Sequence, residues 1–229
     1  MTIARLEDVS KEYQTGKLTV PALKDVNLEI KQGEFLSIAG PSGSGKTTLL
    51  NLLGCLDVPT RGRVFLNGTD TASLKPDTRA EIRRHEIGFI FQSFNLVPVL
   101  TALENVEFPL TLLGHVSAQD RKARVEGLLK TVGLQDMMHR RPPELSGGQQ
   151  QRVAIARALV KRPKMVLADE PTANLDSKTG ETILQLMKDI NEKQGTSFVF
   201  STHDKMVMDY AQRLIILRDG MIAEDQRRQ

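Results

Sequence analysis

The run Gly40-Pro41-Ser42-Gly43-Ser44-Gly45-Lys46-Thr47-Thr48 carries the clearest chemistry in the chain. A polyphosphate is a dense array of anionic oxygens. It binds where several backbone N–H groups converge with no side chains in the way. Three glycines supply that bareness and permit a sharp turn. Lys46 then brings a cation to the β- and γ-phosphates, Thr47 a hydroxyl for Mg²⁺, and Thr48 a hydroxyl for the α-phosphate. Gly-x4-Gly-Lys-Thr is the Walker A spacing. A plain Gly/Ser linker is the competing reading. The apolar strand before the run and the apolar helix after it argue against a linker.

A second constellation follows the apolar run Met165–Ala168, which ends in Asp169-Glu170. Two carboxylates closing a buried strand are costly unless a cation or a proton awaits them. Beside a phosphate loop, Asp169 suits Mg²⁺ held through water, and Glu170 suits a general base for the attacking water. An acidic turn ahead of Pro171 is the plainer alternative. A third constellation is Leu145-Ser146-Gly147-Gly148-Gln149, with Ser146 standing 23 positions before Asp169. Ser146 is a good N-cap, and Gly147 and Gly148 leave helix-start N–H groups bare, which makes a second anion site. One γ-phosphate does not need two such sites in one chain. Two copies meeting head to tail could share it.

The elements that must position these groups are legible in outline. Ala4–Val9, Val26–Ile30 and Arg63–Leu66 read as strands, with a turn at Lys31–Glu34 and a hairpin-type turn at Asn67-Gly68. Phe35–Ala39 is a buried strand leading into the phosphate loop. A helix from the loop to about Leu56 places Leu49, Leu52, Leu53 and Leu56 on one stripe. Helices are expected over Ala118–Val132, Ser146–Val160 and Thr179–Gln194. Strands are expected at Gly88–Phe91, Met165–Ala168, Ser197–Ser201 and Leu214–Leu217. Strands alternating with helices predict parallel pairing through crossovers. The expectation is an α/β fold: a parallel core, an antiparallel sheet near the N-terminus and an inserted helical lobe.

With a Walker A before it and the acidic strand end after it, Leu145–Gln149 resembles the LSGGQ signature of ABC transporter ATP-binding subunits. The likeness runs from Leu6 to about Gly220. It implies a P-loop NTPase (RecA-like) core with an N-terminal antiparallel β-subdomain and an inserted α-helical subdomain. Residues 1–92 and 162–229 would form the core and 93–161 the helical part of a single nucleotide-binding domain. Tyr13 fits the aromatic that stacks on adenine, and Gln92 the Q-loop glutamine that meets Mg²⁺. Ala173-Asn174-Leu175-Asp176 fits the D-loop, and His203 the switch histidine that bonds the γ-phosphate and the attacking water. The resemblance implies ATP and Mg²⁺ as cofactors, with Thr47, Gln92 and Asp169 toward the metal. It also implies a homodimer in the ATP-bound state, in which Ser146, Gly148 and Gln149 act across the interface, with Gly147 and Asp176 also among the nucleotide-binding positions.

Finer stretches narrow the resemblance. Leu53–Asp57, Ile87–Leu96 and Ala168–Thr172 are similar to the lipoprotein-release (LolD) and macrolide-export (MacB) branch, with the cell-division ATPase FtsE close by. This implies an integral membrane permease as a separate subunit, and a place on the cytoplasmic side of a bacterial inner membrane. A gating role without transport, as in the division relative, is the alternative. Ala173 departs from the glycine usual in this branch, with no loss of activity expected. Beside Gln92, the apolar run Phe94, Leu96, Val97, Pro98 and Leu100 would meet the permease or pack in the core. Arg79, Arg83, Arg84 and His85 read as a solvated helix face.

Composition excludes other classes. The chain has 229 residues, 40% hydrophobic and 26% charged, which is ordinary for a globular fold. Thirty-one basic against 28 acidic residues leave +3, too little to imply a nucleic-acid partner. DNA-repair and chromosome ATPases of the superfamily insert long coiled coils. Here Lys46 and Leu145 stand 99 positions apart with no heptads between them. Cys55 is the single cysteine, so no internal disulfide or Cys-based zinc site is expected. His85, His115 and His139 show no metal spacing. No apolar run approaches the roughly 20 residues of a membrane span, and Met1–Ser10 lacks a secretory pattern. A guanine-reading Asn-Lys-x-Asp motif is absent as well.

Overall fold

The computed structural model describes residues 1–16 and 18–228. Two long strands, β1 (Thr2–Thr15) and β2 (Leu18–Lys31), pair antiparallel with β4 (Arg61–Leu66) and β5 (Thr69–Asp70) in the order β2-β1-β4-β5. The other sheet holds β3 (Phe35–Ala39), β6 (Ile87–Ile90), β7 (Met165–Asp169), β8 (Ser197–Thr202), β9 (Arg213–Arg218) and β10 (Met221–Arg227). Its order is β10-β9-β3-β8-β7-β6. All its pairings are parallel except β9 with β10. The helices are α1 (Lys46–Leu53), α2 (Pro76–Glu86), α3 (Ala102–Leu113), α4 (Ala118–Thr131), α5 (Gly147–Leu159), α6 (Ser177–Gln194) and α7 (Lys205–Tyr210). The chain is thus an α/β P-loop fold with a parallel-containing sheet, an antiparallel sheet and a helical insertion.

Side-chain alternation along the central strands decides what covers each face. Leu36 and Ile38 of β3 and Val199 of β8 face a core shared with α1 and the antiparallel sheet. Phe35, Phe198 and Phe200 face the opposite core, with Ile155 and Ala156 of α5 and Ile183 and Met187 of α6. Burying each phenylalanine contributes about 1.5–3 kcal/mol. Gly88 lets α5 approach β6 closely, because a Cβ there would lie 2.7 Å from the Ala158 carbonyl oxygen.

The expected strands and helices are present, but β1 and β2 run well beyond Ala4–Val9 and Val26–Ile30, the short helix α7 is additional, and α1, α3 and β10 also differ. Helix α1 stops at Leu53, and Leu56 is 49% exposed rather than on the buried stripe. The chain leaves the helix there through Cys55, whose φ of +53° ends the helical path. Helix α3 was not expected, since Pro109 lies inside it. Its start is nevertheless written in the sequence as Thr101-x-x-Glu104, a capping box with both bonds formed. Strand β10 was also not expected, since its residues are mostly charged and exposed. Asp219-Gly220, at φ +50° and +80°, turns it back along β9.

Candidate active site

The phosphate loop joins β3 to α1, and close approach requires two of its glycines, Gly40 and Gly45. A Cβ on Gly40 would lie 2.2 Å from the Leu217 carbonyl oxygen, and one on Gly45 2.5 Å from that of Ala22. Gly45 also sits at φ +102°. The Leu49 N–H to Gly45 C=O bond is 2.9 Å. The N–H groups of Lys46, Thr47 and Thr48 therefore have no partner along the helix. Lys46 is buried, and its Nζ donates to the carbonyls of Gly40 at 2.8 Å and Pro41 at 2.9 Å. Ser44 faces inward; its hydroxyl is buried without a partner.

Strands β7 and β8 bring the acidic pair alongside. Thr47 Oγ1 donates to Asp169 Oδ2 at 3.4 Å. Glu170 turns out of the strand at φ +47°, a left-handed conformation that a non-glycine residue rarely adopts and that stores about 1–3 kcal/mol. Its N–H donates to the Ser201 carbonyl at 2.9 Å. This places its carboxylate against the start of the next loop. Glu170 Oε1 lies 2.7 Å from His203 Nδ1, and Oε2 accepts from the Thr202 hydroxyl at 3.2 Å. Thr202 was missed by sequence reasoning, although the pattern strand-Thr-His-Asp places it beside His203.

A cleft of about 700 Å³ gathers Tyr13, Ser42, Gly43, Gly45, Lys46, Thr47, Thr48, Gln92, Asp169, Glu170 and His203. It lies at the carboxyl ends of the parallel strands, where open α/β sheets bind ligands. Ala22, Pro41 and Ser201, not singled out from the sequence, line it too. Gln92 is exposed, and its backbone carbonyl accepts from Asn174 Nδ2 at 2.8 Å. After Gln92, Arg157 donates to the carbonyls of Asn95 at 2.5 Å and Phe94 at 2.6 Å, which fixes the path of that loop. Asn105 bonds both N–H and C=O of Val97, at 2.8 and 3.1 Å.

The third constellation lies elsewhere. Ser146, Gly147, Gly148, Gln149 and Asp176 line a separate cleft of about 400 Å³ with Arg152, Asn174, Leu175 and Thr179. Ser146 caps α5. Its hydroxyl accepts from Gln149 N–H at 3.3 Å, and Gln149 Oε1 accepts from Ser146 N–H at 2.9 Å. Asp176 caps α6 by accepting from Thr179 N–H at 3.0 Å. Among the described residues, none lines both clefts. Neither do they include three His, Cys, Asp or Glu side chains grouped to hold a metal. A divalent ion would find Thr47 Oγ1 and Asp169 Oδ2 together, both hard oxygen donors suited to Mg²⁺. No helix among these residues is long and apolar enough to cross a membrane.

The comparisons agree with this geometry. Residues 23–173 match the ABC transporter family model. An uncharacterized ABC transporter ATP-binding protein, MJ0796 of Methanocaldococcus jannaschii, is 51% identical over 97% of this chain and 96% of its own length. The macrolide export ATP-binding/permease protein MacB of Syntrophobacter fumaroxidans is 47% identical over 97% of this chain, which spans only 31% of that relative. A solved dimeric structure of the MJ0796 cassette, in a post-hydrolysis state bound to ADP and Pi, superposes with a TM-score of 0.91 at 50% identity, covering 99% of both chains. Family match, full-length relatives and the assembled phosphate cleft lead to one conclusion: this chain belongs to the ABC transporter family, as one of its ATP-binding, ATP-hydrolysing cassettes.

Proposed function

We propose that the protein powers a separate membrane permease of the lipoprotein-release or macrolide-export type, through ATP-driven head-to-tail dimerisation. The observation that carries this reading is the division of its anion-binding groups between two clefts with no lining residue in common. One copy cannot close both on a single nucleotide. In a head-to-tail pair, Ser146, Gly147, Gly148, Gln149 and Asp176 of one copy face the phosphate loop of the other. The dimeric cassette bound to ADP and Pi supports that arrangement.

Within one cleft, Gly40 to Thr48 would cradle the phosphates, with Lys46 leaving the Gly40 and Pro41 carbonyls for the β- and γ-oxygens. Thr47, Asp169 and Gln92 would hold Mg²⁺. When bound, the ion would neutralise charge developing on the phosphates. Glu170 would take the proton from the attacking water, with its carboxylate oriented by Thr202 and His203. His203 would also bond the γ-phosphate, and Tyr13 would stack on the adenine. Residues 93–161 would form the helical subdomain, and 1–92 with 162–229 the catalytic core.

The permease reading is supported by the MacB relatives, whose names join an ATP-binding part to a permease. It is supported too by exposed Val97, Val99, Phe108 and Leu112 on the helical part beyond Gln92, a surface suited to an apolar partner segment. Such a protein would sit peripherally on the cytoplasmic face of a bacterial inner membrane. Co-purification tests it. Tagged Glu170→Gln protein, locked with ATP in gently solubilised native membranes, should retain a permease with few membrane helices and a large extracytoplasmic domain. A many-helix permease would discard the branch. An ATP-bound dimer with no membrane protein would discard the permease reading.

A further inference from the structure

Three residues at the edge of the nucleotide cleft form a cluster that the reaction itself does not use. Tyr13, near the end of β1, lines the cleft and is 38% exposed. Its hydroxyl donates to Asp57 Oδ2 at 2.9 Å. Asp57 Oδ1 accepts from Lys11 Nζ at 2.6 Å and from Val58 N–H at 2.7 Å. Lys11 Nζ also donates to the Val58 carbonyl at 2.8 Å and lies 4.9 Å from the centroid of the Tyr13 ring. Lys11 is buried, and neither it nor Asp57 lines the cleft.

Asp57 reaches this place because of how the phosphate-loop helix ends. Beyond Leu53, the N–H groups of Leu56 and Asp57 both bond the Asn51 carbonyl, at 2.9 and 3.3 Å. That winds the chain around the helix terminus and presents Asp57 to β1. The two ends of α1 thereby hold different things. Its first residue is Lys46 of the phosphate loop, and its exit turn holds the Tyr13 hydroxyl.

We propose that Asp57 is a positioning residue for nucleotide binding: with Lys11 it locks the Tyr13 ring to the phosphate-loop helix, at a set distance from the phosphates. The inference rests on the reading of Tyr13 as the base-stacking residue. An aromatic side chain on a strand end is otherwise free to rotate, and ordering it on binding reduces affinity. Here the hydroxyl is held by a carboxylate and a cation lies beside the ring, so the ring is ordered before the base arrives. Burial opposes ionisation of Asp57, but the bonds from Lys11, Val58 and Tyr13 outweigh it and hold the carboxyl below its usual range. Burial foremost, and Asp57 after it, raise the Tyr13 phenol, which keeps its proton to donate.

Binding of ATP and of inorganic tripolyphosphate is measured by calorimetry for wild type, Tyr13→Phe, Asp57→Ala and Tyr13→Ala. Tyr13→Ala should weaken ATP by about tenfold or more, the scale of a base–aromatic stack, and leave tripolyphosphate unchanged. Tyr13→Phe and Asp57→Ala should each weaken ATP about threefold to tenfold, again without touching tripolyphosphate. Their double variant should be no worse than the poorer single one, since both remove one bond. Unchanged ATP affinity in Tyr13→Phe, with a loss in Tyr13→Ala, overturns the positioning role and leaves stacking intact. No loss in Tyr13→Ala overturns the stacking reading, and this inference with it. Equal losses for ATP and tripolyphosphate overturn the proposal in favour of a purely structural tie between β1 and α1. Should Asp57→Ala fail to fold with Lys11 left unpaired, Tyr13→Phe, which removes only a hydroxyl, carries the test.

Discussion

Replacing Glu170 by glutamine should separate binding from chemistry, and the surroundings of its side chain set the expected size of each effect. The Glu170 side chain is 14% exposed and makes two contacts, with His203 Nδ1 at 2.7 Å and the Thr202 hydroxyl at 3.2 Å. Glutamine has the same shape. Its carbonyl oxygen can accept from the Thr202 hydroxyl as the carboxylate does. Its amide can donate to His203 Nδ1, because that ring is mostly exposed and free to take the tautomer that accepts there. No buried group is orphaned, so stability should change by less than about 1 kcal/mol. What disappears is the basic oxygen. General-base catalysis contributes about 10²–10⁴-fold, equivalent to about 2.7–5.4 kcal/mol of barrier. ATP affinity should hold or rise, because a negative charge near the triphosphate is gone. The assay is single-turnover phosphate release with protein in excess over ATP, alongside equilibrium ATP binding and light scattering for dimer mass. The expected result is slow release and an accumulated ATP-bound dimer. Release within about threefold of wild type, with ATP bound, would refute the assignment of Glu170 as base.

Three further outcomes are expected. Lys46→Ala removes charge-assisted bonds of about 1.5–3 kcal/mol each, so ATP affinity should fall at least about tenfold by calorimetry; unchanged affinity would contradict the phosphate-loop assignment. Gly45→Ala puts a Cβ 2.5 Å from the Ala22 carbonyl at φ +102°, whereas Gly43→Ala at φ +80° enters open space. Denaturant melts should show the first losing about 2–5 kcal/mol and the second about 1, and equal losses would count against the packing argument. Lys161 donates to the Arg83 carbonyl at 2.6 Å, and its amine is pushed down to about 8 by burial and then by Arg83. The unfolded amine titrates near ~10.4, so folding is penalised as pH falls from there through 8, and fully below that. Lys161→Met should therefore raise stability by about 1 kcal/mol at pH 7, with the gain fading as pH rises from about 8 and nearly gone by about pH 10; a gain independent of pH would remove the titration as its cause.

Groups that act within a few residues of one another were legible in the order of amino acids alone. The phosphate loop, the Asp169-Glu170 strand end and the Ser146 cap are local, because a helix start or strand end is dictated by neighbours along the chain. The short, largely apolar runs of β3 and β8 likewise foretold buried strands of a parallel sheet. The start of α3 was legible as Thr101-x-x-Glu104 and was obscured by Pro109, since propensity weighs the proline without the packing of Val106 and Leu110 that outweighs it. Strand β10 was hidden because an edge strand needs only backbone pairing to β9 and carries no apolar pattern. Relations between residues far apart in the chain came from the folded arrangement alone. These include Thr202 and His203 closing on Glu170, Asn174 on the Gln92 carbonyl, and Asp57 holding Tyr13 from 44 positions away. The separation of the two anion clefts within one copy is the same kind of fact. Sequence spacing carries no information about such distances. They are set by strand order and by the close packing of α5 and α6 against one face of the sheet.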